Sequence, residues 1–301
     1  MTRPNARPIE HAYAEDRFFF ISTQTIAWRE YGDPRGEAVL YFGGTPGSRL
    51  EGAFAHEDAL ARGIRLIAIE RPGLGLSTRQ PVATVIDCAR QFIDLAGELQ
   101  LDKFGVIGYS AGGLYALAVA HAAPDRVRFV GDMAGPAPVY RSALRAKLPP
   151  PVKLPFFYHS VFAGVALAAR RMSPARFEVF LRDKLCKGTD REWLQDRDHL
   201  TRFAGDLVEG LRHGGLGCAQ DMARVYRPWG FEIEDISVPV HVWYGDADER
   251  MSREFTDYKV ARIAGAQLHL LPGVGHLHLL DRFGAVFDAA RGVRPAAQHV
   301  V

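Results

Sequence analysis

The segment from Gly108 to Gly112 (GYSAG) constrains the fold more than any other feature, because it sets a serine at a sharp turn between a strand and a helix. The preceding run, residues 103–109, is short, apolar and rich in β-formers, as expected of a buried parallel strand. The following run, residues 114–120, has the composition of a helix. Small residues two positions before and after the serine allow the backbone to bend without side-chain collision. The pattern predicts an exposed Ser110 hydroxyl beside a helix N-terminus, close to the backbone N–H of Ala111.

A serine at such a turn is suited to act as a nucleophile, and the Ala111 N–H supplies one donor for a developing oxyanion. Glycine at a strand–helix turn can also serve packing alone, and a GxSxG match by itself is a weak signal. The strand before the motif and the helix after it supply the context that the motif requires. We therefore predict that Ser110 is a catalytic nucleophile.

Length and composition limit the class of protein. With 301 residues, 48% of them hydrophobic, the chain can form one large α/β domain with an insertion, or two small domains. The net charge of +2, with acids and bases interspersed, gives no indication of a nucleic-acid partner. The three cysteines (Cys88, Cys186 and Cys218) are widely spaced without a CxxC motif, which argues against a disulfide framework and against a zinc site.

No segment of the sequence predicts secretion or membrane insertion. Residues 1–8 are not followed by the apolar stretch that a signal peptide needs. The longest apolar stretch, around residues 161–169, is much shorter than the roughly 20 residues of a membrane-spanning helix. We expect a cytoplasmic protein with a small-molecule substrate, no nucleic-acid partner and no membrane span, and we leave its oligomeric state open.

Eight short apolar segments predict strands. The first two are expected to form an antiparallel pair, and from the third onward strands alternate with helices. Alternation of this kind is typical of a mostly parallel sheet with helices on both faces. The predicted strands are residues 18–21, 25–28, 38–42, 64–69, 103–109, 126–130, 238–244 and 267–271, and helices are predicted near residues 53–62, 82–99, 114–120 and 253–264 and from about 279 onward.

The alternation is interrupted by a long segment without convincing strand signals, from about Gly135 to Gly230. A proline cluster at residues 149–151 and 155 is followed by helical patterns near residues 156–171, 175–184, 191–212 and 218–226. An all-helical insertion of roughly 95 residues ahead of the last two strands is typical of a cap over an active site. We predict a core of residues 1–135 and 231–301 and a helical cap of residues 136–230.

A serine hydroxyl needs a base to remove its proton, and 11 histidines are available. His276 follows the last strand in a glycine-rich loop, at the sheet edge where open α/β proteins carry their chemistry. His278 is the nearest competitor, but two residues further along an incipient helix its side chain would point about 200° away. A structural role, as a cap of the last helix, is the alternative for His276 itself. We predict that His276 is the base.

The base needs an acid that fixes its tautomer, and three aspartates are candidates. Asp246 and Asp248 follow the seventh predicted strand, and Asp132 follows the strand after the serine helix. The chain order Ser, Asp, His is the one expected of this arrangement. Asp248 lies further from its strand and can reach back to His276, whereas a loop aspartate such as Asp246 more often makes a local turn or a helix cap. We rank Asp248 first, Asp132 second and Asp246 third.

The loop after the third strand is expected to provide the second oxyanion donor. Its paired glycines, Gly43 and Gly44, allow the backbone to approach a substrate oxygen closely, and Pro46 has no N–H to offer. This leaves the N–H of Thr45 as the predicted donor, in addition to that of Ala111. A phosphate-binding loop is excluded because the GxxxxGK[ST] pattern is missing.

Five motifs in this order resemble those of the α/β-hydrolase fold with a helical cap, and the likeness covers nearly the full chain. They are an oxyanion loop at residues 44–49, a supporting turn at 70–77, the nucleophile elbow at 108–112, an acid loop at 245–248 and a histidine loop at 275–276. The resemblance implies a carboxylesterase-like serine hydrolase. One departure is Gly43, where many relatives carry a histidine that braces the oxyanion loop. Ser110 separates the chain from the haloalkane dehalogenase and epoxide hydrolase branches, which resemble it but carry Asp there.

The expected reaction is hydrolysis of an ester or lactone through an acyl-enzyme, without a metal or an organic cofactor. Because the first cap helix is rich in Phe and aliphatic side chains, we expect a fairly apolar substrate that contacts Gly44, Tyr109 and Phe162. The same triad supports C–C bond hydrolysis and cofactor-free perhydrolysis, and the fold also serves non-catalytic ligand-binding proteins.

Acidic side chains in the predicted cap are considered as evidence for a peptidase. A peptidase that grips a free amino terminus needs a cluster of acids, and we find no clear one. The candidates Asp206, Glu209 and Asp221 are interpreted as solvated helix faces.

Overall fold

The structure, a computed structural model, describes residues 15–147 and 157–292. The strands belong to one sheet, and each of the eight predicted strands is confirmed, six of them with boundaries moved by a few residues. Strand ends shift because alternation of side chains defines the centre of a strand better than its last hydrogen bond. The strands are β1 (Arg17–Ile21), β2 (Gln24–Gly32), β3 (Glu37–Phe42), β4 (Ile64–Ile69), β5 (Phe104–Tyr109), β6 (Val127–Met133), β7 (Val240–Gly245) and β8 (Gln267–Leu271).

The order of strands across the sheet is β1-β2-β4-β3-β5-β6-β7-β8. Strand β2 runs antiparallel to both of its neighbours, β1 and β4, and every other pairing is parallel. The carboxyl ends of β3, β5, β6, β7 and β8 therefore lie along one edge, where the loops that follow these strands meet. This is the predicted fold, a mostly parallel eight-stranded sheet that opens with an antiparallel pair.

Helices cover both faces of the sheet, and strand side chains alternate between the two layers. In β3, Leu40 and Phe42 belong to one hydrophobic cluster, whereas Val39 and Tyr41 belong to the other. The first layer contains α2 (Val85–Glu98) and α3 (Gly112–Ala122), and the second contains α1 (His56–Ala61) and α11 (Phe283–Ala290).

The chain between β6 and β7 forms a helical insertion, and the described residues in it contain no strand. The predicted long helix at 191–212 is two helices, because the side chain of Asp196 accepts the N–H groups of Asp198 and His199 and starts a new helix there. The proline cluster and residue 156 lie outside the described residues. The insertion holds α4 (Ser142–Lys147), α5 (Phe157–Arg171), α6 (Pro174–Phe180), α7 (Gly188–Trp193), α8 (Arg197–Gly210) and α9 (Leu216–Val225), and α10 (Arg253–Val260) follows β7.

In the insertion, α5 packs on α9 and α6 packs on α8. Across the two described ranges, every helix falls short of the length and apolar character needed to cross a bilayer.

Candidate active site

Ser110 lies at the turn between β5 and α3, with a φ angle of 51° in the left-handed region. Its backbone N–H donates to the carbonyl of Met133 on the neighbouring strand, at 2.9 Å. The elbow is tightly packed, since a Cβ atom added to Gly112 would lie 1.9 Å from the carbonyl oxygen of Phe42. Glycine at 112 is therefore required for β3 and the start of α3 to approach each other, and this approach holds the strained serine.

Ser110 lines a cavity of about 480 Å³. The structure brings to the same cavity all but one of the predicted site residues. These are Gly44, Thr45, Tyr109, Ala111, Phe162 and His276. Asp248 is the exception, because its carboxylate lies behind His276.

His276 and Asp248 form a buried pair, with 2.7 Å between the Nδ1 atom of His276 and Oδ2 of Asp248. The side chains are 4% and 0% exposed. The other oxygen of Asp248 accepts the backbone N–H groups of Arg250, at 2.7 Å, and Met251, at 2.9 Å. Burial acts to raise the pKa of Asp248, but His276 and these N–H groups outweigh it and lower the pKa below the usual value of an aspartate. The carboxylate thus stays ionised and holds the proton of His276 on Nδ1.

The competing candidates have other partners. Asp132 is buried in an ion pair with Lys259, and its Oδ1 atom accepts the N–H of Gly135 at 2.8 Å. Asp246 accepts the N–H of Gly273 at 2.6 Å, so it joins its own loop to the loop after β8, where a local turn or a helix cap was predicted. The Nδ1 atom of His278 is buried without a hydrogen-bond partner among the described residues.

Tyr109 lies between the elbow and the histidine loop. Its ring centroid is 4.9 Å from that of His276, and its hydroxyl donates to the carbonyl oxygen of His276 at 3.2 Å. Tyr109 was predicted only as a substrate contact. The structure adds that it supports the backbone and ring of His276.

Few backbone N–H groups are available to a ligand in residues 44–49, the predicted oxyanion loop. Gly44 donates its N–H to Oε1 of Glu51, at 2.8 Å, so that donor is occupied. The N–H groups of Thr45 and Ala111 donate to no acceptor within residues 15–147 and 157–292. They are free to receive the oxygen of a ligand.

A carboxyl group fills the space beside Gly43. A Cβ atom at that position would lie 2.5 Å from Oε1 of Glu51, which also accepts the hydroxyl of Tyr41 at 2.5 Å. Burial raises the pKa of Glu51 above the usual value of a glutamate. Glu51 thus braces the loop from the place where a side chain at position 43 would extend. Glu51 could not be predicted from the sequence motifs, because it lies outside every one of them.

Arg71 links the oxyanion loop to the helical insertion. It is fully buried, and it donates to the carbonyl oxygen of Gly43, to that of Gly44 at 3.0 Å and to Oγ1 of Thr45 at 2.9 Å. Its charge is paired with Asp221 on α9 at 2.8 Å. Arg71 lies in the turn that was predicted to support the loop, but its own role was not foreseen.

The interpretation of three acids in the insertion as solvated is wrong. Asp221 is fully buried against Arg71, and Asp206 is buried and accepts both the N–H and the hydroxyl of Ser48, at 2.8 and 2.7 Å. Glu209, which is half-buried, accepts a hydrogen bond from Arg49 at 2.7 Å. A helix-face pattern does not reveal partners that come from a distant loop of the core, and here all three partners come from residues 43–49 and 71.

Asp190 on α7 connects the insertion to the histidine loop. It is buried, and its Oδ1 atom accepts the N–H of Leu277 at 2.8 Å. Its Oδ2 atom accepts Nε of Arg250 at 2.7 Å. Asp190 could not be singled out in the sequence, because a threonine–aspartate pair at the start of a short helix is common.

Solved structures with the same fold cover almost the whole chain. A hydrolase from Pseudomonas aeruginosa is similar with a TM-score of 0.69 and 18% identity, over 93% of this chain and 99% of its own. A thermophilic esterase from Thermogutta terrifontis has a TM-score of 0.67 and 21% identity, over 94% and 100%. An enol-lactonase from Burkholderia xenovorans has a TM-score of 0.66 and 18% identity, over 92% and 99%. At these identities the likeness establishes the fold alone.

A comparison with curated proteins by sequence gave no match. The sequence model described as the alpha/beta hydrolase family matches residues 40–289, from β3 to α11. This match, the sheet order and the strained serine turn agree with one another. The chain belongs to the alpha/beta hydrolase family.

Proposed function

We propose that the protein is a serine hydrolase that cleaves an ester or lactone of a small, fairly apolar substrate. Ser110 is the nucleophile, His276 the base, and Asp248 the acid that orients it. The N–H groups of Thr45 and Ala111 bind the oxyanion. One observation carries the proposal: the cavity at Ser110 is also lined by His276, whose Nδ1 atom lies 2.7 Å from Asp248.

The proton transfers follow from the tautomer of His276. Because Nδ1–H donates to Asp248, the Nε2 atom keeps a lone pair and accepts the hydroxyl proton as Oγ of Ser110 bonds to the substrate carbonyl carbon. The carbonyl oxygen becomes an oxyanion at the two free N–H groups. When the C–O bond breaks, the alcohol takes the proton from Nε2 and an acyl-enzyme remains. Water then attacks the acyl carbon and gives one proton to Nε2. This proton passes to Oγ of Ser110 as the acyl–oxygen bond breaks, which releases the acid and restores the Ser110 hydroxyl.

The cavity supports the proposed substrate class. Its volume is in the range of small-molecule sites, and apolar side chains of the insertion, among them Val161, Phe162 and Leu207, line much of it. We propose that residues 136–230 act as a cap that covers Ser110 and excludes water from the acyl-enzyme. An apolar acyl or alcohol group fits this lining better than a peptide does.

A fluorophosphonate probe and a set of p-nitrophenyl esters test the proposal. We expect the wild-type protein to be labelled at Ser110 and to release p-nitrophenol, and Ser110→Ala to do neither. Ser252→Ala is the matched control, because it removes a hydroxyl from the start of α10, outside the cavity lining. Esterase activity near the wild-type level in Ser110→Ala would contradict the mechanism.

The same measurement separates the alternatives. A non-catalytic ligand-binding protein would be neither labelled nor active. A C–C bond hydrolase would be labelled at Ser110 and would cleave β-diketones in preference to esters and lactones of similar size. A perhydrolase would be labelled and would form peracid when acetate and hydrogen peroxide are supplied.

A further inference from the structure

Arg250 is the one lysine or arginine among the described residues that line the cavity. It follows Asp248 by two positions, in the connection from β7 to α10. Its side chain is 41% exposed and contributes to the cavity lining. Most of the remaining lining is apolar. An arginine in such a cavity usually forms an ion pair or binds a polar group of the ligand.

The hydrogen bonds of Arg250 hold the guanidinium group and leave one edge unused. Nε donates to Oδ2 of Asp190 at 2.7 Å, and Nη2 donates to Sγ of Cys186 at 3.1 Å. Nη1 donates to no acceptor in the described parts of the chain. Since Asp190 is itself fixed by the N–H of Leu277, the orientation of Arg250 is set before a ligand arrives.

The buried arginines near the site differ from Arg250. Arg71 and Arg49 use all three guanidinium nitrogens on partners in the protein. Both side chains are almost completely buried, at 1% and 4% exposed. They serve the structure of the loop at residues 43–49, whereas Nη1 of Arg250 has no acceptor among the described residues.

We infer that Arg250 binds a carboxylate of the substrate, so that the natural substrate is an ester or lactone that also carries an acid group. A guanidinium group binds a carboxylate through parallel N–H donors, and this is the anion that a single arginine matches best. A phosphate dianion would call for a second cation, which the described lining does not offer. The apolar lining fits a hydrocarbon segment between the ester and the acid. The inference rests on the proposed function and narrows its substrate class.

Half-methyl esters of straight-chain dicarboxylic acids, from succinate to suberate, test this inference against the matching dimethyl esters. Both series release methanol, and they differ in one negative charge. At the best chain length, we expect the wild-type kcat/KM to favour the half-ester by about tenfold or more, the ratio that a charged hydrogen bond of 1.5–3 kcal/mol gives. In Arg250→Met this ratio should fall by about tenfold, mainly through KM, and Arg250→Lys should retain part of it.

The control is Arg253→Met. Arg253 is exposed, pairs with Asp257 at 2.7 Å and is not among the lining residues, so its loss should leave the ratio unchanged. A second measurement needs no variant: adipate should inhibit wild-type hydrolysis of a neutral ester at least about tenfold more strongly than adipamide. Equal inhibition by the two, or an unchanged ratio in Arg250→Met, overturns the inference while leaving the proposed function intact. If the wild type hydrolyses no ester and Ser110 is not labelled, the proposed function itself fails.

Discussion

Asp190 and Leu277 are joined by a hydrogen bond of 2.8 Å, from the backbone N–H of Leu277 to Oδ1 of Asp190. Leu277 follows His276 directly, and Asp190 belongs to the helical insertion. The position of the histidine loop therefore depends on a side chain that lies about 90 residues earlier in the chain. Because the same carboxylate orients Arg250, one buried group fixes both the backbone of the histidine loop and the side chain of Arg250.

Removing the carboxylate of Asp190 should impair catalysis without touching the reacting groups. Asp190→Ala leaves the buried N–H of Leu277 without an acceptor, at a cost of about 1–3 kcal/mol, and we expect kcat to fall by about tenfold or more. Asp190→Asn keeps an acceptor oxygen and should retain most of kcat. The rate of labelling by a fluorophosphonate checks both variants. Equal rates in Asp190→Ala and wild type would show that the loop is held by other contacts.

The two histidines of the last loop should differ sharply. His276→Ala is expected to lower kcat by at least about a thousandfold, because it removes the base, whereas His278→Ala should keep most of the activity. Asp248→Asn should also lower kcat by several orders of magnitude, since its amide can donate to Nδ1 and favour the wrong tautomer. Steady-state kinetics on one ester are sufficient. Loss of activity in His278→Ala with survival in His276→Ala would reassign the base.

The buried carboxyl of Asp206 should make stability depend on pH. Burial and the neighbouring Glu51 raise the pKa of Asp206 well above the usual value of an aspartate. The folded protein then binds this proton more tightly than the unfolded chain does. The stability that the group contributes is complete below the pKa of an unfolded aspartate, about 4, and is lost as the pH rises through the folded pKa.

Asp206→Asn should remove this loss of folding stability at rising pH, because an amide does not titrate. The amide oxygen can still accept from Ser48, and Oδ2, which has no described hydrogen-bond partner, is replaced by an amide donor. Urea unfolding between pH 5 and 8 should show a smaller fall in midpoint for the variant than for wild type. Asp183→Asn is a change of the same kind at a more exposed position of the insertion. It should leave the dependence of the unfolding midpoint on pH as it is in the wild type. An unfolding midpoint that falls more steeply with pH in Asp206→Asn than in the wild type would contradict the raised pKa of Asp206.

Phe162 should contribute to both stability and selectivity. It is buried, packs against Leu74 and Leu211, and lines the cavity. Phe162→Ala is expected to cost about 3 kcal/mol in free energy of unfolding and to change the preferred acyl length of p-nitrophenyl esters through KM. Phe177→Ala is the control, since Phe177 is buried in another cluster of the insertion and does not line the cavity. An unchanged acyl preference in Phe162→Ala would make the residue part of the packing alone.

A methyl group at position 43 should disturb the oxyanion loop. In Gly43→Ala the new Cβ would lie 2.5 Å from Oε1 of Glu51, so that the carboxyl has to move and the N–H of Gly44 loses its acceptor. We expect kcat/KM to fall by about tenfold to a hundredfold, as for the loss of an oxyanion donor. Gly205→Ala, where no atom lies within 4 Å of the added Cβ, should leave activity unchanged. Activity at the wild-type level in Gly43→Ala would mean that Glu51 does not brace the loop.

The sheet and the order of motifs could be predicted because local patterns carry them. Alternating apolar segments and the glycines around Ser110 follow from short-range packing, and β4 and β8 were predicted to the residue. The pairing of His276 with Asp248 was predicted from loop positions at the ends of parallel strands. The contacts of Asp190, Asp206 and Asp221 could not be predicted, because the partners described above lie 60 to 158 residues away in the chain. The pattern of a helix predicts which of its faces is polar, but it does not predict which distant residue contacts that face.

The ion pair of Arg71 with Asp221 has a consequence for the evolution of the protein. A fully buried guanidinium group that loses its carboxylate costs about 3–5 kcal/mol, a large part of the stability of a typical domain. An exchange of the insertion for one from a relative would therefore have to supply an acid at the position of Asp221, or change Arg71 at the same time. The insertion therefore cannot be exchanged independently of the core, and substitutions at Arg71 and at Asp221 have to occur together.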